Sequence, residues 1–196
     1  MKTVKTLPED FVQVFSADMK NNKKLALRLN LAAVVICLLI AVPMHFVVPV
    51  TELFSMERGL GLYILRFAVV VAANIAYIVI HELVHGWVMK ICGAGKLNFG
   101  FNGIFAWAGC KDEYFSKGQY ISVALGPLVL LGVLLAVGSG LCAVLAPEWF
   151  WVVYTVQIAN VTGAVGDVYV SSRVLGLPSE TLIHDNGLTM TAFARR

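Results

Sequence analysis

Charge is scarce in this chain: Asp, Glu, Lys and Arg make up 14% of 196 residues, and none falls between Leu29 and Val48. Soluble domains carry roughly 25% charged residues, so a water-facing globule is excluded. The hydrophobic share of 59% and the mean hydropathy of +0.79 point to an integral membrane protein. Cysteine is equally sparse. Cys37, Cys92, Cys110 and Cys142 are widely spaced with no C-x-x-C pair, which excludes a disulfide framework or a cysteine zinc cluster. The net charge is only +3, and the basic residues flank apolar runs instead of lining an aromatic-interleaved groove. Nucleic acid is therefore not an expected partner. No repeat or low-complexity tract is visible, and the first long apolar run lacks a small-residue cleavage site, so no cleavable signal peptide is expected.

Against this background the stretch Ile75 to Gly86 stands out, because two histidines and a glutamate close an otherwise apolar run. In a helix His81 and His85 stand one turn apart on one face, so both imidazoles can reach one metal ion with Glu82 beside them. Ionisable groups in a membrane-type helix are costly unless they bind a metal or partners. The pattern reads as zinc, with Glu82 as general base.

The expected fold is an all-α polytopic membrane protein of about four transmembrane helices, with a short β-hairpin between spans 2 and 3. Residues 1–28 mix charge with Phe11, Val12, Val14 and Phe15 and read as a cytoplasmic or interfacial helix. The membrane domain covers 29–174. Its spans run from about Leu29 to Val48, Leu62 to Ile91, Tyr120 to Ala146 and Trp149 to Val174, each long enough for a hydrocarbon core of about 30 Å. Pro127 is expected to kink the third span, and Gly132, Gly138 and Gly140 to permit close helix approach. Residues 175–196 read as a cytoplasmic tail, with His184 to Gly187 forming a turn.

Between spans 2 and 3, over about 95–109, Leu97, Phe99 and Phe101 alternate with Asn98 and Gly100 before Asn102-Gly103. Asn-Gly supplies the positive φ values of a type I′ hairpin turn. The hairpin serves either as an aromatic anchor or as an edge strand, carrying Asn98 and Gly100, that pairs with an extended peptide substrate. In the fourth span Gln157, Asn160, Ala164, Asp167 and Ser171 fall on one helical stripe. Asn160 and Asp167 are either interhelical hydrogen-bonding groups or site residues, Asp167 as a third metal ligand and Asn160 binding substrate or orienting the site.

Thirteen of the fifteen Lys and Arg residues lie in the N-terminal segment, the central loop and the C-terminal region, leaving Arg58 and Arg66 for the other side. The positive-inside rule then places both termini in the cytoplasm, with His81, His85 and Asp167 near cytoplasmic helix ends.

The membrane-embedded His81-Glu82-Leu83-Val84-His85, the Gly-containing hairpin, Gly126-Pro127 and Asn160 to Asp167 together resemble the zincin peptidases of bacterial membranes, relatives of the site-2 proteases. The resemblance covers about residues 60–190. It implies a site-2-protease-like core in a cell membrane, a bacterial inner membrane by the family's distribution. It also implies a zinc cofactor and cleavage of membrane protein or peptide substrates, with Asp167 as the third ligand on a later helix. The prolines of that scheme are absent here, and Val168 stands where it has glycine. A zinc-binding membrane scaffold that cuts nothing is the competing reading from another class, and a small metal transporter is a third.

Overall fold

In the computed structural model, residues 3–18, 22–101 and 106–196 are described, so the Asn102-Gly103 turn lies outside the described residues. The elements run β1 (Phe11–Asp18), α1 (Lys23–His45), α2 (Thr51–Phe54), α3 (Leu60–Ile91), β2 (Asn98–Phe101), β3 (Ala106–Ser116), α4 (Lys117–Leu145), α5 (Pro147–Gly163), α6 (Val165–Leu175), β4 (Leu182–Asp185) and β5 (Thr189–Arg195).

Among the described residues, three helices are long and apolar enough to cross a membrane: α1, α3 and α4, of 23, 32 and 29 residues, with mean hydropathies of 2.6, 2.1 and 2.6. Their leucine- and valine-rich runs pair most backbone groups within the helix, as a lipid environment requires, with Pro43 in α1 and Pro127 in α4 each releasing one carbonyl. No residue of α1 is fully buried by protein, and Leu27, Leu31, Val34, Val35, Leu38, Leu39 and Val42 are exposed, as lipid-facing side chains would be.

The expectation of four uninterrupted spans is corrected, because residues 149–174 do not form one helix. α5 ends at Gly163, and Ala164, at φ −78° and ψ 3°, turns its N–H to the carbonyls of Asn160 and Thr162. Two local causes act at the break: Gly163 is a weak helix former, and Thr162 Oγ1 bonds back to the Ile158 carbonyl at 2.8 Å, a contact that bends helices. At 17 residues α5 is about 25 Å long, short of the hydrocarbon thickness.

The all-α expectation is corrected as well. A five-stranded antiparallel sheet in the order β1-β5-β4-β3-β2 draws its strands from before α1, from between α3 and α4, and from after α6. The segment expected as an interfacial helix supplies β1, which pairs with β5 from Phe11↔Arg195 to Asp18↔Thr189. The segment expected as a tail supplies the β4-β5 hairpin. Its turn is closed by Asn186 Oδ1, which accepts the N–H groups of Leu188 and Thr189 at 2.9 Å, and by Gly187 at φ +86°.

The chain divides into two units. The first comprises Met1–Leu29, His81–Pro127 and Gly166–Arg196 and thus holds the whole sheet. Its core packs Met89, Cys110, Phe115, Tyr120, Val123, Val174, Ile183 and Ala192. Two glycines matter to this sheet. A methyl on Gly109 would lie 2.3 Å from backbone atoms of Asn186 and Gly187, and one on Gly187 would meet the Trp107 ring at 2.2 Å.

The second unit comprises Asn30–Ile80 and Leu128–Val165. Its core gathers Val48, Leu53, Phe150, Trp151 and Val152. Trp151 donates to the Val48 carbonyl and Tyr154 to that of Ile40, both at 2.9 Å. The guanidinium of Arg66, only 2% exposed, donates to the carbonyls of Glu52 and Ser55 and so ties down the link before α3. His45 accepts the Val50 N–H at 3.0 Å and closes the end of α1.

Candidate metal centre

The first unit brings together three of the residues singled out by the sequence. Ligand atoms of His81, His85 and Asp167 all lie within 4.8 Å of one another, the one such cluster of three metal-binding side chains among the described residues. The two histidines meet because helical spacing stacks positions four apart, and their Nε2 atoms are 3.1 Å apart. Asp167 Oδ2 lies 3.6 Å from His81 Nε2 and 3.8 Å from His85 Nε2. A tetrahedral ion with bonds of about 2.0–2.1 Å holds its ligand atoms roughly 3.3–3.4 Å apart, so the three separations bracket what zinc needs. Two imidazoles and one carboxylate are also the donor set of hydrolytic zinc sites, which keep a fourth position open. The residues therefore fit the metal.

The break after Gly163 explains how Asp167 is presented. It stands in the first turn of α6, where unpaired N–H groups and the helix dipole favour a carboxylate. In an uninterrupted helix the same side chain would sit mid-element without that support.

His85 is oriented from behind. Its Nδ1 lies 2.9 Å from the carbonyl oxygen of Val123 on α4. A carbonyl only accepts, so Nδ1 carries the proton and Nε2 keeps its lone pair towards the cluster. His81 and His85 are each 8% exposed, so both rings are nearly dry while Asp167 retains partial access to solvent.

Glu82 follows His81 on α3, and its carboxylate accepts the backbone N–H of Ala108 in β3. A spacing argument has no means of finding this contact, because a main-chain donor carries no residue identity. Asp185 at the end of β4 lies within electrostatic reach of Glu82 and Asp167. Burial pushes its carboxyl up to about 6 from 3.8, against the bonds it accepts from the Gly187 N–H and the Tyr120 hydroxyl, which hold it down. Residues 184–187 read first as a turn, with His184 and Asp185 as alternatives that approach the mouth of the site. His184 points elsewhere: its Nε2 donates to the Lys111 carbonyl at 2.9 Å and its ring packs on Tyr114.

Asn98 and Gly100 fall on β2, the edge strand of the sheet, paired with Gly109 and Trp107 of β3. Gly100 lies under the Trp107 indole, where a methyl would approach Cζ2 to 2.4 Å. The strand packs close to the helix that bears His81 and His85, since a methyl on Gly86 would come within 2.5 Å of Phe99 Cζ. Glycine immediately after His85 thus permits the edge strand to lie there.

Asn160 belongs to the second unit and is fully buried. Its Oδ1 accepts from the Tyr77 hydroxyl at 3.4 Å and its Nδ2 donates to the Leu128 carbonyl at 3.2 Å. These are interhelical bonds of α5 to α3 and α4, and the stripe that ran from Asn160 to Asp167 is interrupted at Ala164. Asn160→Ala is expected to lower thermal stability by about 1–2 kcal/mol while zinc content, measured by elemental analysis, stays at the wild-type level.

The family model described as "Putative zincin peptidase" matches residues 74–182, a range that includes His81, Glu82, His85 and Asp167. Comparison with curated proteins and with solved structures gives no match.

Proposed function

The chain belongs to this zincin peptidase family, which matches more than half of its length, and from that premise we propose that it is a membrane-embedded zinc endopeptidase. It would cut membrane-associated proteins or peptides near the cytoplasmic face. The observation that carries the reading is the convergence of His81, His85 and Asp167 with Glu82 alongside.

Zinc held by His81, His85 and Asp167 would supply a Lewis acid that acidifies water and polarises the scissile carbonyl. Glu82, steadied by the Ala108 N–H, takes a proton from the attacking water at a carboxylate oxygen and delivers it to the departing amide nitrogen. Substrate binds as an extended strand against β2, with Asn98 and Gly100 at the contact and Phe99 and Phe101 offering apolar surface; these two rings are 49% and 69% exposed. Asn160 supports the helix packing instead of touching substrate.

Membrane residence is supported by α1, α3 and α4. The pairing of β1, β2-β3 and β4-β5 in one sheet supports an even number of crossings between successive sheet segments. The pair α5-α6 then returns the chain as a broken fourth crossing. Both termini lie on the sheet side, and the distribution of basic residues makes that side cytoplasmic.

The test is metal removal. Purified protein in liposomes is expected to hold about one zinc per chain and to cleave a membrane-anchored reporter peptide. Treatment with 1,10-phenanthroline should abolish cleavage, and added zinc should restore it. A tightly held zinc with four protein ligands and no cleavage of any membrane reporter would instead identify a scaffold.

A further inference from the structure

We infer that Pro127 is a positioning residue of the metal centre, acting by leaving the Val123 carbonyl free to hold His85. The inference rests on the reading of His85 as a metal ligand. In an α-helix the carbonyl of residue i accepts the N–H of residue i+4. For Val123 that residue is Pro127, inside α4, whose nitrogen bears no hydrogen. The released carbonyl cannot turn to water, because Val123 is 2% exposed, and a buried carbonyl without a partner is costly. The partner it finds is His85 Nδ1 at 2.9 Å.

The consequence lies on the other side of the ring. With the proton fixed on Nδ1, a neutral imidazole presents its lone pair at Nε2, which is the atom 3.1 Å from His81 Nε2 and 3.8 Å from Asp167 Oδ2. Gly126 provides the approach: a methyl there would lie 2.9 Å from Val88 Cγ2, so the side of α4 bearing Val123 can lie close to α3 only without a Cβ at this position. Gly126-Pro127 thus does more than bend α4. The glycine brings the helices together and the proline leaves one acceptor unclaimed. Pro127 is itself fully buried, so it acts through Val123 and His85 and not by touching substrate.

Two variants separate the missing donor from the rigid ring. Pro127→Ala restores an N–H that competes for the Val123 carbonyl. An α-hydroxy acid introduced at position 127 by nonsense suppression makes a backbone ester, which lacks both the N–H and the ring. The readouts are the tautomer of His85 in zinc-free protein, from the 15N shifts of its ring nitrogens, and the zinc dissociation constant from a competing chelator. The expected result is Nδ1–H in the wild type and the ester variant, a mixture of tautomers in Pro127→Ala, and zinc binding weakened about 10- to 100-fold in Pro127→Ala alone.

A wild-type His85 protonated on Nε2 would overturn the inference without any variant. Equal weakening in both variants would assign the effect to the ring, and unchanged tautomer and affinity in Pro127→Ala would also overturn it. Wild-type protein that binds no zinc would remove the peptidase proposal, while the tautomer measurement would still decide the role of Pro127.

Discussion

Glu82→Gln is expected to keep zinc at the wild-type stoichiometry and to lose peptide cleavage by about 10²- to 10⁴-fold, the usual contribution of a positioned general base. The substitution preserves size and leaves a side-chain oxygen to accept the Ala108 N–H, so the position of the group is retained. What disappears is the ability to take a proton from water and return it to the leaving nitrogen. Glu82 is not among the three clustered ligand residues, so metal content should not follow activity. The paired readout is zinc by elemental analysis and cleavage of a liposome-anchored reporter. Wild-type turnover in this variant would end the proposed mechanism, and loss of both zinc and activity would make Glu82 a ligand.

Asp167→Ala should fail in the opposite way, losing the metal first. Structural zinc is worth roughly 10–16 kcal/mol over four ligands, or about 3–4 kcal/mol each, so removal of one weakens binding on the order of 10²- to 10³-fold. The loss is sharpened here because Asp167 is the anionic member of the cluster and draws on the N-terminus of α6. Its side chain is 27% exposed, so the fold should survive the truncation. Chelated wild-type protein is the control, since it reports the cost of an empty site with the side chain in place. Unchanged zinc affinity in Asp167→Ala would show that another residue completes the pair of histidines.

The parts legible in the sequence were those with one strong physical cause each. Lipid demands continuous apolar runs, and α1, α3 and α4 display them openly. Helical spacing alone brings His81 and His85 together, and alternation with Asn102-Gly103 announced the β2-β3 pair.

What the sequence concealed depends on partners far apart in the chain. Phe11 to Asp18 shows mixed apolar positions, and only pairing with Thr189 to Arg195 makes it a strand. Strand β5 did carry a signal, because Met190, Ala192 and Ala194 alternate with Thr191, Phe193 and Arg195, and the former set is buried. The break at Ala164 was harder to see. Gly163 suggests close packing as readily as it suggests a helix end, and a 3.6-residue count continues through it unless the Thr162 back-bond is known. The second contacts of the site, Ala108 N–H to Glu82 and Val123 C=O to His85, are main-chain groups that any residue type would supply.

The strand order has a consequence for how the chain folds. β1 precedes the other four strands of the sheet in the chain, yet its neighbour β5 follows all of them, and β5 is also what joins β1 to β4. Every membrane helix is therefore complete before the sheet can close, and contacts of such high sequence separation form slowly. Asp185, on β4 beside the metal cluster, is held in register by β5 through its pairing with Met190. A nascent chain thus holds His81, His85 and Asp167 before it has the closed sheet.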